Sequence, residues 1–299
     1  MHAIEVQALH KSYGDLEAVR GIDLQIDEGE VFALLGPNGA GKTTTIEILE
    51  GFRRATSGQV RVLGDDPARA DAAFRRQVGI VLQEVALEPF LSVREILERN
   101  AGYYHDPLPV DEVIERVGLA EKADARVKKL SGGQQRRLDV ALGIVGRPRL
   151  LFLDEPTTGF DPSARRGAWE LVRSLRDVGT TIILTTHYMD EAQALADRLA
   201  VVARGRVVAA GTSADIGGRD TAATRIHFGL PATADRGGLP VATRIDDRGA
   251  FLVETTEPTR VLHELTGWAT ERGFELENLT VDRPTLEDIY LALTREAVA

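Results

Sequence analysis

Eight consecutive residues, Gly36-Pro37-Asn38-Gly39-Ala40-Gly41-Lys42-Thr43, constrain this chain more than any other stretch. They fit the spacing of glycine, four free positions and Gly-Lys-Ser/Thr. The apolar run Val31-Phe32-Ala33-Leu34-Leu35 precedes them and reads as a buried strand, and Thr44-Thr45-Ile46-Glu47-Ile48-Leu49 follows and reads as the start of a helix. Strand, glycine-rich loop and helix in that order build an anion site. Backbone N–H groups line the loop, and the positive end of the helix dipole lies behind them. Glycines let the backbone come close to phosphate without a Cβ in the way. Gly36 to Thr44 is therefore the expected nucleotide-binding segment, with Lys42 reaching the β- and γ-phosphates and the Thr43 hydroxyl placed to ligate Mg²⁺. The motif alone is suggestive rather than decisive, and the other reading of the loop is a flexible glycine turn.

The 299 residues allow one large domain or two smaller ones, and an apolar fraction of 43% can fill a sizeable core. There is no cysteine, so no disulfide framework and no thiolate metal site is expected. The N-terminus, Met1-His2-Ala3-Ile4-Glu5-Val6, lacks the basic start and long apolar run of a signal peptide. The apolar runs 181–184 and 199–203 are far short of a membrane span. A net charge of −10 argues against nucleic acid as a partner, because that binding needs basic surface to displace counterions.

Alternation and frequent turns over 1–30 read as antiparallel strands, with turns at Gly14-Asp15 and Asp27-Glu28-Gly29. From 31 the pattern becomes strand, helix, strand, with apolar strands expected at 31–35, 78–82, 150–153, 181–184 and 199–202. Near-continuous apolar strands suit a parallel sheet covered on both faces. The stretch 84–148 reads as helical and as an insertion into that core. Ser92-Val93-Arg94-Glu95 is a capping box, 111–117 is a helix stopped by Gly118, and Leu138, Ala141, Leu142 and Val145 form a helical stripe. Asp161-Pro162 opens a further helix whose apolar face is Ala168, Leu171, Val172, Leu175 and Val178, ended by Gly179. After about 217 short strands at 224–228 and 251–254, a helix near 259–271, a strand near 274–281 and a final helix from Pro284 are expected. These give domains at 1–217 and 219–299, the second a small α+β appendage.

Two further elements bear on chemistry. Leu150-Leu151-Phe152-Leu153-Asp154-Glu155 is an apolar strand ending in two acids. In a parallel sheet the carboxyl ends of the strands face the ligand crevice, so Asp154 would hold the Mg²⁺ shell and Glu155 would polarise an attacking water. A strand followed by solvated acids is the other reading. Leu130-Ser131-Gly132-Gly133-Gln134 precedes a helix and is a second anion site of glycines and a helix N-terminus, or else a glycine-capped loop.

Together these motifs resemble, in order and over about residues 1–217, the nucleotide-binding domain of ABC transporters. The resemblance implies an α/β P-loop NTPase fold with an antiparallel β subdomain and a helical insertion. It implies ATP and Mg²⁺ as cofactors and a homodimer with composite sites. In that family the LSGGQ-type loop of one subunit caps the ATP held by the other, so Ser131, Gly132, Gly133 and Gln134 would act in trans. The resemblance also makes Gln83 the glutamine that contacts Mg²⁺ and water, and His187 the histidine that touches the γ-phosphate. It makes Asp161 the aspartate across the dimer interface and Tyr13 the aromatic that stacks on adenine, a contact every base can offer through its π-face. Phe160 departs from the more usual leucine, and Glu155 is intact, which implies a competent site.

The segment 284–294 resembles the tail of multidrug and daunorubicin-resistance exporter ATPases, and its Leu286, Ile289, Tyr290 and Leu293 also form one amphipathic face. The expectation is an ATPase that powers a separately encoded membrane permease, docked near 83–104, as a cytoplasmic protein peripheral to the inner face of the membrane. The appendage is expected to fold back on the cassette and to mark an exporter of drugs, antibiotics or lipids. An importer ATPase, a non-transport ABC ATPase acting on ribosomes or DNA, and a P-loop GTPase are the rivals. Such non-transport ATPases often carry paired cassettes or a long coiled coil, and a GTPase needs an Asn/Thr-Lys-x-Asp element; none of these features is found.

Overall fold

The computed structural model describes the chain apart from residues 83–86, 159, 219–221, 232–233, 235–237, 246–248 and 297–299. The chain divides into two compact units, Met1–Ser213 with Leu293–Ala299, and Ala214–Ala292.

The first unit is built on a six-stranded sheet in the order Val78–Val81, Leu150–Asp154, Thr181–Thr186, Val31–Leu35, Arg198–Ala203 and Arg206–Gly211. Every pairing is parallel except the last, where Arg206–Gly211 returns antiparallel beside Arg198–Ala203. Every residue of Val31–Leu35 and Thr181–Thr186 is buried, as strands covered on both faces require. Parallel strands bring their carboxyl ends to one edge. Leu35 pairs with Thr186 and Asp154 with Thr185, so the loops that follow these strands open on the same rim.

A second, antiparallel sheet places His2–Tyr13 between Leu16–Asp27 and Ser57–Val62. Alternation puts Ile4, Val6, Leu9, Ile22, Leu24 and Ile26 on its inner face, in one core with Phe32 and Leu34 of the main sheet and Ile46, Ile48 and Leu49 of the helix Lys42–Leu49. That helix therefore lies in the core between the sheets, and its N-terminus is fixed by packing at both sides. The strands Ser57–Val62 and Arg206–Gly211 are additions to the sequence reading; short runs such as Val60-Arg61-Val62 are too brief to assign by alternation.

The helical insertion consists of Val93–Ala101, Val110–Arg116 and Gly132–Ile144, the last two linked through the 3₁₀ turns Ala120–Lys122 and Val127–Lys129. The capping box forms: Ser92 N–H donates to Glu95 at 2.7 Å, and Glu95 N–H donates to the Ser92 hydroxyl at 3.2 Å. The helix Gly132–Ile144 lies directly on Val78–Val81, where a Cβ on Gly79 would sit 2.2 Å from the Gly143 carbonyl. On Pro162–Asp177, Leu171, Val172 and Leu175 are buried, but Val178 is 61% exposed because the helix ends before it.

The second unit holds a four-stranded sheet in the order Arg244–Ile245, Phe251–Thr255, Thr224–Gly229, Glu277–Asp282, all antiparallel. Ile226, Phe228, Phe251, Val253, Val261 and Leu265 form the core between this sheet and the helix Pro258–Glu271. The expected strand at 274–281 begins only at Glu277, because Phe274 packs edge-on against Trp268 at 5.0 Å. In the final helix, Leu286–Glu296, Leu286 is buried and Ile289, Tyr290 and Leu293 are half-buried.

Candidate active site

The loop between Val31–Leu35 and Lys42–Leu49 is closed by its own lysine. Lys42 Nζ donates to the carbonyls of Gly36 at 2.7 Å and Pro37 at 3.1 Å, and the side chain is 6% exposed. Burial pulls this ammonium below its usual range, while Glu155 and Asp154 oppose that shift. Gly41 sits at φ +105°, and a Cβ there would lie 2.5 Å from the Ala18 carbonyl, so the residue before the lysine has to be glycine. The Ala40 N–H donates to Pro37 at 3.2 Å and the Ala40 carbonyl accepts from Gly205 at 2.8 Å, which anchors the loop to the neighbouring strand connection.

Tyr13, Leu16, Ala18, Asn38, Gly39, Gly41, Lys42, Thr43, Thr44, Asp154, Glu155 and His187 line one cleft of about 660 Å³. Gly36, Pro37 and Ala40 belong to the same loop but do not line the cleft; Gly36 and Ala40 are buried and Pro37 is exposed. Asp154 ends its strand half-buried and accepts from the Thr185 hydroxyl. Glu155 follows with φ +45°, a conformation that costs a non-glycine residue on the order of 1–3 kcal/mol. It is held there by its N–H donating to the Thr185 carbonyl at 3.2 Å and hydroxyl at 3.1 Å. The Glu155 carboxylate accepts from the Thr158 hydroxyl at 3.0 Å and from His187 Nδ1 at 3.2 Å. A carboxylate beside Nδ1 fixes the donor on that nitrogen and leaves Nε2 as the other bonding atom of the ring. Tyr13 is 39% exposed, with Lys11 Nζ 5.0 Å and the Arg53 guanidinium 5.6 Å from its ring centre.

The remaining sequence-expected residues lie elsewhere. Ser131 caps the helix Gly132–Ile144, its hydroxyl accepting from Gln134 N–H at 3.3 Å while Gln134 Oε1 accepts from Ser131 N–H at 3.0 Å. The Gln134 side chain is thus used inside the cap. A Cβ on Gly132 would meet open space, and Gly133 has only the Ala164 methyl 4.0 Å away. None of these residues lines the cleft. Asp161 caps Pro162–Asp177 by accepting from Ala164 N–H at 2.9 Å and stays outside the cleft. Gln83 lies outside the described residues.

Sequence reasoning missed three charged side chains that the fold largely withdraws from solvent. Glu50 is 7% exposed and its carboxyl is pushed up to about 8, by burial first and then by Asp154 and Glu47. Glu191 is fully buried, with Oε1 accepting from Thr157 at 2.8 Å and Trp169 at 3.3 Å while Oε2 has no partner; burial raises its pKa. Arg136 binds the backbone at the ends of two catalytic-edge strands. Glu50 did carry a signal, because it stands four residues after Ile46, on the buried face of its helix.

Hard oxygen donors suit Mg²⁺, which takes one or two carboxylates together with phosphate oxygens and water. Thr43 and Asp154 in one cleft fit that requirement. Among the described residues no cluster of at least three His, Cys, Asp or Glu could hold a metal by itself.

The model of the family "ABC transporter" matches residues 19–158, and that of an "ABC transporter domain-containing protein-like, C-terminal domain" matches 224–285. A daunorubicin resistance ATP-binding protein of Streptomyces coeruleorubidus is 39% identical, over 98% of this chain and 96% of the relative. A Nod factor export ATP-binding protein of Paraburkholderia xenovorans is 42% identical, over 85% of this chain and 83% of the relative. A dimeric ATP-binding cassette in a post-hydrolysis state, bound to ADP and Pi, superposes with a TM-score of 0.63 at 25% identity, covering 70% of this chain and 98% of that one. Phosphate loop, acidic strand end and these likenesses converge: the chain belongs to the ABC transporter family, as one of its ATP-binding, ATP-hydrolysing cassettes.

Proposed function

We propose that this ATPase is the energising subunit of an exporter, working as a homodimer on a separately encoded membrane permease at the inner face of the membrane. The observation that carries the ATPase part is the cleft that gathers Lys42, Thr43, Asp154, Glu155 and His187 on one rim. Export is supported by relatives named for daunorubicin resistance and Nod factor export, similar over most of the chain, and the cargo class is accordingly a drug, antibiotic or lipid-like compound. Among the described residues no helix is long and apolar enough to cross a membrane, so the passage through the bilayer falls to the partner.

The chemistry follows from positions. The loop amides of 36–44 and Lys42 bind the β- and γ-phosphates, with Asn38, Gly39 and Thr44 along the cleft wall. Thr43 and Asp154 would hold Mg²⁺, which supplies neutralisation of phosphate charge when bound. Glu155 orients and polarises the attacking water. His187, held by Glu155 through Nδ1, offers Nε2 toward the γ-phosphate, and Gln83 completes the water's and the metal's surroundings. Tyr13 stacks on the base, in competition with the Lys11 and Arg53 cations now at its ring. Ser131, Gly132, Gly133 and Gln134 sit at an open helix N-terminus away from their own cleft, so they serve the nucleotide of a second subunit, with Asp161 at the same interface. ATP then selects the closed dimer, and hydrolysis releases it.

The test is made in cells carrying the protein with its permease. Active ATPase is expected to lower cellular accumulation of a fluorescent anthracycline relative to cells with Lys42→Ala. Faster accumulation with the wild-type pair would mean import and would overturn the exporter reading.

A further inference from the structure

The helix Gly132–Ile144 carries a buried cation near its N-terminus whose hydrogen bonds lead back to the ATP-side strands. The Arg136 side chain is 10% exposed. Its Nη2 donates to the Asp154 carbonyl at 2.8 Å and its Nε to the Pro156 carbonyl at 3.3 Å. Its Nη1 donates to the Leu82 carbonyl and to Asp139 Oδ2, the latter at 2.9 Å. Leu82 follows the strand Val78–Val81, and Asp154 ends the strand paired with it. Carbonyls beyond the last ladder bond need a donor from elsewhere, and one planar guanidinium supplies three of them at once. The C-terminal end of the same helix is seated on Val78–Val81, where Gly143 packs against Gly79.

We propose that Arg136 is a positioning residue that locks the start of the 131–134 helix to the backbone carrying Asp154 and Glu155. Movement of the 131–134 loop onto a partner's nucleotide and alignment of the cis carboxylates are then one event. The inference rests on the composite-site reading above. A lysine keeps the charge but has no planar fork, so its single nitrogen cannot bridge the three carbonyls of the two segments. Arg136 lies outside the residues lining the nucleotide cleft, so its loss touches coupling and leaves cis binding.

The experiment compares wild type, Arg136→Lys, Arg136→Gln and Ser131→Arg in full-length protein. Labelled ATP is titrated into each, and steady-state rates give kcat, KM and the Hill coefficient. In the Arg136 variants ATP affinity is expected to stay within about twofold, while kcat falls roughly ten- to hundredfold, the range for a small misplacement of catalytic groups. The Hill coefficient should fall toward one. A merely structural arginine would lower the active fraction and leave KM and the Hill coefficient of the remainder unchanged. Wild-type kcat and Hill coefficient in Arg136→Lys, or affinity falling in step with kcat, overturns the proposal. If both arginine variants misfold, Asp139→Asn carries the test, since it removes the carboxylate that, at 2.9 Å from Nη1, orients the guanidinium toward its carbonyls. There, reduced kcat with retained affinity supports the role, and wild-type kcat overturns it. Turnover that survives Ser131→Arg removes the composite site itself. Turnover lost in Ser131→Arg but kept in Arg136→Lys removes only the positioning role.

Discussion

Glu50 should make the cassette lose stability as pH rises, and Glu50→Gln should abolish that loss. The carboxyl is held at about 8 in the folded chain against an ordinary 4.5, chiefly by burial. Between those values the folded state binds more protons than the unfolded one, so stability declines with increasing pH. A single site contributes a slope of about 1.4 kcal/mol per pH unit there, and its contribution accumulates to on the order of 4 kcal/mol between about pH 5 and about pH 8. Below that window both states are neutral at this position and the penalty is absent; above it the penalty is constant. Glutamine is isosteric and never ionises, so its stability relative to wild type should grow across the window. Urea midpoints of nucleotide-free protein at several pH values measure this. The chain has two tryptophans, Trp169 and Trp268, one in each unit, so a Trp268→Phe background makes fluorescence report the cassette alone. Any constant packing difference between Glu and Gln shifts both curves equally. Parallel stability–pH curves for the two proteins would refute the buried, proton-holding carboxyl.

The remaining outcomes concern the loop and the second unit. Lys42→Ala should weaken ATP binding by an order of magnitude or more, because a charge-assisted contact to phosphate is worth roughly 1.5–3 kcal/mol; titration of labelled ATP checks it, and equal affinity would remove the phosphate-loop assignment. Gly41→Ala should lower both ATP affinity and cassette stability, the latter by about 1–3 kcal/mol for a strained backbone, since the residue sits at φ +105° with the Ala18 carbonyl in the way. Unchanged urea midpoints would show that the loop accepts a side chain there. Phe228→Ala removes a fully buried ring stacked 5.4 Å from Phe251 and should destabilise the second unit by about 3–5 kcal/mol, seen in the Trp268 signal, while ATP affinity stays within error.

The features legible in the sequence are those whose chemistry is local. A strand, a glycine loop and a lysine occur in one short run, and an apolar strand that ends in Asp154-Glu155 announces its own edge. Convergence of Lys42, Glu155 and His187 on one cleft depends on parallel strands ending together, which the strand pattern implies, whereas Tyr13 reaches the same cleft from the antiparallel sheet. What escaped detection is set by long-range packing. Arg136 stands in a run of polar residues after Gln134 and looks like a solvated helix face until the strand ends at Leu82 and Asp154 are brought to it. Glu191 looks like a surface acid and is buried by Thr157 and Trp169 from other segments. Ser57–Val62 becomes a strand only because His2–Tyr13 offers it an edge. Val178 failed for a local reason, because the helix stops one residue earlier.

The central claim is that one subunit's 131–134 loop and another subunit's phosphate loop make one ATP site. Sizing chromatography of Glu155→Gln in the presence and absence of Mg-ATP tests it directly. This variant keeps Lys42, Thr43 and Asp154 and loses the carboxylate that His187 and Thr158 hold in place. The account predicts a nucleotide-dependent dimer that does not turn over and that disappears when Ser131→Arg is added. A Glu155→Gln protein that hydrolyses ATP at the wild-type rate, or that stays monomeric with Mg-ATP bound, would contradict it.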